Sequence, residues 1–162
     1  MSGRGGASDG GRRGRMCYAC GDANERGLHM RFRREGGRTV CDYTPCEFAQ
    51  GFPGRMHGGI VTTLIDEAMG WAVYHASAWA ATARLSVRFR RPVGLDAPLR
   101  IEAWVTRDRG RLIELRADVR DAAGAVLAEG DGVFMRLDER LARDLTGLAA
   151  LAGRDDAPPV DG

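Results

Sequence analysis

The sequence predicts an α+β domain in which one amphipathic helix is set among short antiparallel strands. Three observations carry that expectation. Apolar residues alternate with polar ones in several short runs. A single stretch over residues 58–75 follows helical periodicity instead. The last three strand candidates are joined by turns too short for anything but antiparallel neighbours.

Along the chain, Leu28, Met30 and Phe32 alternate with His29, Arg31 and Arg33, the two-residue period of a strand. Gly36-Gly37 then predicts a hairpin turn into a strand over 38–44. Beyond the helix, Leu85, Val87 and Phe89 alternate with Ser86, Arg88 and Arg90 before Pro92 ends the run. A strand over 99–106 follows, with Ile101, Ala103 and Val105 on one face. Residues 111–120 set Ile113, Leu115, Ala117 and Val119 against Leu112, Glu114, Arg116 and Asp118, and 125–137 follows the turn Asp121-Ala122-Ala123-Gly124. These three read as a meander.

In the helical stretch, Ile60, Val61, Leu64, Ile65, Ala68, Trp71 and Ala72 fall within an arc of roughly 140°. So broad a stripe suits a helix lying on a sheet. The opposite direction holds Gly59, Asp66 and Gly70, flanked by Thr62 and Thr63. Residues 1–15, rich in Gly and Arg, read as a disordered tail. The folded domain is expected over 16–138, with a short helix and flexible tail over 139–162.

Composition narrows the function classes. The chain has 162 residues, 44% of them hydrophobic, with a net charge of +2, and all 24 of its basic residues are arginine. Without lysine there is no Schiff base and no P-loop cation, so any phosphate must be held by arginine or by backbone N–H groups. The weak net charge, and a basic tail with no aromatic residue to stack a base, predict no nucleic-acid partner. No signal-like apolar segment and no run of about 18 apolar residues is visible, which predicts a cytoplasmic protein with no membrane anchor and reduced thiols.

The richest chemistry lies at the helix start. Gly54-Arg55-Met56-His57-Gly58-Gly59 enters the helix with glycines where the first-turn N–H groups lack partners. Glycine lets a ligand approach the backbone, and the helix dipole favours negative charge there, as an oxyanion requires. Asp66 stands seven residues after Gly59, two turns along the same face, with Thr62 and Gly70 four residues to either side. A carboxylate among small neighbours has room for a substrate, whereas Glu67, nearer the apolar stripe, is placed to pair with an arginine.

The stretch GFPGRMHGGIVTTLIDEAMGW (residues 51–71) resembles the PaaI-like branch of the hotdog acyl-CoA thioesterases, the 4-hydroxybenzoyl-CoA thioesterase superfamily. In that branch an H-G-G turn carries a catalytic Asp or Glu nine residues after the His, the interval from His57 to Asp66. CYACGDANERGLHMRF (17–32) is similar to the branch's C-x-x-C-G-x-x-N-x-x-G-L opening, and ATARLSVRFRRPV (81–93) to the strand after its helix. The likeness covers residues 17–137.

The resemblance implies a hotdog fold, a curved antiparallel sheet wrapped around one central helix, and hydrolysis of an acyl-CoA ester. By the same likeness Asp66 is the general base or nucleophile, the Gly58 N–H the oxyanion donor, and Thr82 the residue that orients the carboxylate or the water. His57 is implied to fix the turn more than to act as a base. Relatives often place a second oxyanion donor, Asn or Gln, six residues before the His; here Gly51 stands there, with Gln50 one step away. Gly59, Gln50, Gly51 and Thr62 are expected to line the substrate entrance. Arg90 and Arg91, with Arg88 and Arg55, are candidates for the CoA phosphates. A homodimer, or a tetramer of two dimers, is implied, and no cofactor.

Trp71, Trp79, Tyr74 and Met69 either line an acyl pocket or belong to the core. His29 and His75 lack motif context and are expected at the surface. Cys17-x-x-Cys20 with Cys41-x4-Cys46 has the count of a four-thiolate zinc site, but the second pair is poorly spaced and no metal is expected. Two other functions are a hotdog hydratase, which needs a His–carboxylate pair in a different helix motif, and a non-catalytic acyl-CoA-binding protein.

Overall fold

A computed structural model describes residues 16–138 and Arg140; the tail expected over 1–15 and, apart from Arg140, the helix and tail expected over 139–162 lie outside the described residues. The described residues form two units, 16–29 with 137, 138 and 140, and Met30–Arg136. In the first, the Leu28 N–H donates to the Tyr18 carbonyl at 2.8 Å, and the Asn24 side-chain oxygen accepts from the Arg26 N–H at 3.1 Å.

The strand expected from Leu28 does not begin there. His29 has φ 53°, a left-handed conformation that breaks an extended run. In the second unit β1 is only Arg33–Glu35, paired antiparallel with β2 (Arg38–Tyr43). Gly36 and Gly37 between them have φ 55° and 77°, as a type I′ hairpin turn demands. A short 3₁₀ turn at Glu47–Ala49 precedes the helix α1 (Gly58–His75). Then come β3 (Ala80–Phe89), β4 (Leu99–Asp108), β5 (Leu112–Asp121) and β6 (Val126–Arg136).

The six strands form one antiparallel sheet in the order β1-β2-β4-β5-β6-β3. The meander expected from the turns is β4-β5-β6. The strand that follows the helix closes one side and, among the described residues, pairs only with β6, so ten residues of β3 end the sheet with an edge that no described strand covers. Its register slips between Thr82 and Arg84, leaving a bulge beside Thr82.

Alternation is obeyed where it matters most. Ile113, Leu115, Ala117 and Val119 are buried under α1, while Arg116 and Asp131 pair across the other face at 2.9 Å. The helix packs on β2, β3, β4, β5 and β6. It buries Val61, Leu64, Ile65, Ala68, Met69, Ala72, Val73 and Tyr74, a wider front than the expected stripe, while Ile60 and Trp71 at its margin stay half-exposed. Two glycines of β6 set its height over the sheet. A Cβ at Gly130 would lie 2.6 Å from Ile65 Cγ2, and one at Gly132 2.5 Å from Met69 Sδ. Met69 and Tyr74 are therefore core. Phe32 stacks on Trp71, and Trp71, Tyr74 and Trp79 then meet edge to face, with ring centroids 5.1 to 5.3 Å apart. No helix among the described residues is long and apolar enough to cross a membrane.

Candidate active site

The chain reaches α1 through a loop that is stitched at several points. Gln50 bridges to Met56 and Arg55 to Gly94, and the Met56 N–H donates to the Val93 carbonyl at 2.9 Å. This fixes the helix entrance against the segment that leaves β3. His57 is the N-cap, extended at φ −64° and ψ 133°, and its Nδ1 accepts from the Gly59 N–H at 2.9 Å. An accepting Nδ1 carries no proton, so its lone pair is committed to capping rather than to proton abstraction. The Gly59 N–H is consumed by the same bond.

The Gly58 N–H, by contrast, has no acceptor among the described residues, and Gly58 is exposed. Farther along the helix, the Thr62 and Thr63 hydroxyls donate back to the carbonyls of Gly58 and Gly59 at 3.0 and 2.9 Å. Asp66 stands partly exposed on the side away from the core, and the Thr82 hydroxyl donates to its Oδ1 at 2.7 Å. A Cβ at Gly70 would meet nothing within 4 Å, so the face beyond the carboxylate is open.

The second donor expected at Gln50 or Gly51 is not built as in the resemblance. A Cβ at Gly51 would fall 2.9 Å from His57 Cα, so no side chain fits there. The Gln50 Oε1 instead accepts from the Gly54 N–H at 2.9 Å, holding the turn where Gly54 has φ 69°. Among the arginines, Arg88 and Arg90 both engage Glu129, the former at 3.4 Å. Arg55 and Arg91 make no ion pair among the described residues and stand on the two stitched segments beside the helix entrance.

Phe89 escaped sequence reasoning. Alternation grouped it with Leu85 and Val87 and gave it no separate role, yet it is 53% exposed, and its ring edge lies 3.5 Å from a Cβ built on Gly58. The signal was present in the run Phe89-Arg90-Arg91-Pro92, an aromatic at the point where the chain leaves the sheet beside the site.

Away from this site, His75 at the far end of α1 meets the buried Thr39 hydroxyl at 2.7 Å, below a cleft of about 380 Å³ lined also by Arg34, Arg38 and Trp104. Cys41 is buried in β2, and burial pushes its thiol up to about 11, while Cys46 is exposed. Neither belongs to a cluster of three candidate ligand atoms among the described residues, so the four-thiolate arrangement is not assembled.

The family model described as the thioesterase superfamily matches residues 53–128, from the loop before α1 into β6. Over that stretch the chain is similar to the thioesterase superfamily. Of curated relatives, it is similar to acyl-coenzyme A thioesterase THEM4 of Bos taurus, 36% identical over 102 residues, which are 62% of this chain and 42% of the relative. The chain thus spans less than half the length of that relative.

Among solved members, the thioesterase superfamily protein RHA08564 superposes with a TM-score of 0.72 at 30% identity, over 75% of this chain and 63% of the other. The PaaI protein of E. coli gives 0.66 at 19%, over 72% and 86%. A hypothetical thioesterase protein of Streptococcus pneumoniae gives 0.64 at 16%, over 68% and 91%; it has been solved with an aspartate, and separately a threonine sixteen residues later, replaced by alanine, and also with coenzyme A. One helix against a six-stranded antiparallel sheet is the hotdog fold of these thioesterases.

Proposed function

We propose that the protein hydrolyses an acyl-CoA thioester to a carboxylic acid and CoA. The observation that carries this is the Asp66 carboxylate, held by Thr82 at 2.7 Å on the open face of a helix whose first N–H, that of Gly58, has no acceptor among the described residues. Thr82 occupies Oδ1, leaving Oδ2 for chemistry. As a general base it takes a proton from water while the hydroxide adds to the thioester carbon. The oxyanion that forms is held by the Gly58 N–H, and its collapse breaks the C–S bond. The thiolate then recovers the proton from Asp66. As a nucleophile, Oδ2 would displace the thiolate directly and water would open the resulting anhydride.

Helix geometry adds a condition. Gly58 and Asp66 are eight residues apart, about 12 Å along the axis at 1.5 Å per residue. Attack needs about 3–3.5 Å to the carbon, and the oxyanion about 3 Å to its donor. One copy therefore cannot serve a single carbonyl with both groups. We infer that the working unit is a two-fold dimer in which Gly58 of one copy faces the partner's Asp66. The edge of β3 that no described strand covers supports that assembly, since an exposed ten-residue edge is a template for a second strand. A tetramer would pair two such dimers.

Several further observations agree. Asp66 and Thr82 stand sixteen residues apart, the interval of the aspartate and threonine replaced in the streptococcal protein. The bovine relative is named an acyl-CoA thioesterase, and the streptococcal one has been solved with coenzyme A. Of the four candidate arginines, Arg55 and Arg91 are proposed for the CoA phosphates, because Arg88 and Arg90 are engaged by Glu129. The capped Nδ1 of His57 removes the base that a hydratase would use. The test is a panel of acyl-CoA esters with free-thiol detection, run with wild type and Asp66→Asn. Thiol release that survives in the variant would remove Asp66 from its role.

A further inference from the structure

Resting on that function, we infer that Phe89 is a substrate-contact residue, its ring walling the Gly58 N–H and holding the pantetheine arm next to the thioester. More than half of its surface is exposed, so its ring is not committed to the core. Its ring edge nevertheless reaches to 3.5 Å from the Cβ position of Gly58, whose N–H has no acceptor among the described residues.

The placement is rigid. The N–H groups of Arg90 and Arg91 both donate to the Leu127 carbonyl, at 2.8 and 3.0 Å, fixing the chain just past Phe89. The bond from Met56 to Val93 ties that segment to the helix entrance. An apolar ring beside a lone donor excludes water from one side of it, and a hydrogen bond to developing negative charge is stronger where water is excluded.

The strand also orders the two halves of the site. Thr82 and Phe89 are seven residues apart on β3, about 23 Å at 3.3 Å per residue. Thr82 belongs with Asp66, and Phe89 with Gly58. An antiparallel pairing of two β3 edges centred between Leu85 and Ser86 sets Phe89 of one copy opposite the partner's Thr82. One such register completes two sites, each with Gly58 and Phe89 from one copy facing the other copy's carboxylate. Arg91, one of the two arginines proposed for the CoA phosphates, stands two residues past Phe89, so the CoA side of the substrate, rather than the acyl side, runs past the ring.

The experiment compares wild type, Phe89→Ala, Phe89→Leu and Phe89→Tyr by kcat and KM across several acyl-CoA esters, by calorimetric binding of CoA alone, and by molecular mass. Phe89→Ala is expected to lower kcat/KM about tenfold for every acyl group and to weaken CoA binding about fivefold, the scale of truncating an aromatic contact. Phe89→Tyr restores both. Where the alanine variant does not stay folded and dimeric, the leucine variant, with apolar volume but no flat ring, decides by a loss of at least about threefold. Variants within twofold of wild type in kcat/KM and CoA binding, or losses confined to one acyl group, overturn the inference. A wild type that binds CoA through Phe89 but cleaves no ester would overturn the thioesterase function and leave the Phe89 contact standing.

Discussion

Replacing Gly58 by proline deletes one N–H and very little else. Gly58 is the first residue of α1, the position where proline is favoured in helices. Its predecessor His57 sits at φ −64° and ψ 133°, the extended conformation that a following proline requires. The deleted N–H has no acceptor among the described residues, and a Cβ there makes an ordinary 3.5 Å contact with Phe89, so folding loses no internal bond. Fixing the chain at a compatible glycine changes stability by only about 0.4–1 kcal/mol, in the favourable direction. Removing one oxyanion donor, however, costs about 100- to 1,000-fold in kcat, or about 2.7–4 kcal/mol. Gly58→Ala, which keeps the N–H, is the control and should stay within a few fold of wild type. The assay is thiol release at saturating acyl-CoA, beside a thermal melt. A proline variant with an unchanged melt and at least half of wild-type turnover would refute the oxyanion role of Gly58.

Asp66→Asn should lower kcat at least about 100-fold with the fold intact, the scale of a positioned acid–base group; circular dichroism and thiol release check it together. Thr82→Ala, which strips the carboxylate of its 2.7 Å donor, should lower kcat about tenfold, and Thr82→Ser should recover most of that. Gly132→Ala, whose Cβ would meet Met69 Sδ at 2.5 Å, should destabilise by about 1–3 kcal/mol in urea titration. Burial raises the Cys41 thiol to about 11, so this cysteine stays protonated through neutral pH; peptide mapping after brief alkylation at pH 8 should show Cys46 modified and Cys41 untouched until the protein is unfolded.

Much of the fold was readable because local period and tertiary role coincide. The buried face of β5 and the meander β4-β5-β6 follow directly from two-residue alternation and short turns. The same rule misled at the ends. Leu28 to Phe32 alternate, but His29 turns left-handed and the extended run stops. Phe89 alternates into the apolar set, but its ring lies by the exposed helix start at Gly58 and stays more than half exposed.

At the site, the Asp66–Thr82 pair follows the resemblance, whereas the fate of position 51 does not. Only three-dimensional packing reveals that His57 occupies the space that a side chain at Gly51 would need, and that Gln50 is drawn into the turn at Gly54. Putting an asparagine at 51 to restore the family's second donor should therefore lower both the melting temperature and turnover. The roughly 12 Å between Gly58 and Asp66 is legible from sequence spacing once the helix is granted, and the proposed two-copy site rests on this number.

Mixed dimers test that arrangement most directly. Asp66→Asn and Gly58→Pro chains, each nearly inactive alone, are dissociated, mixed in equal amounts and reassociated. Random pairing makes about half of the dimers mixed, and each of these holds one site with an intact Gly58 facing an intact Asp66, so about a quarter of all sites recover. Activity near a quarter of wild type is the result expected. A mixture no more active than the sum of its parents would contradict a site shared between two copies.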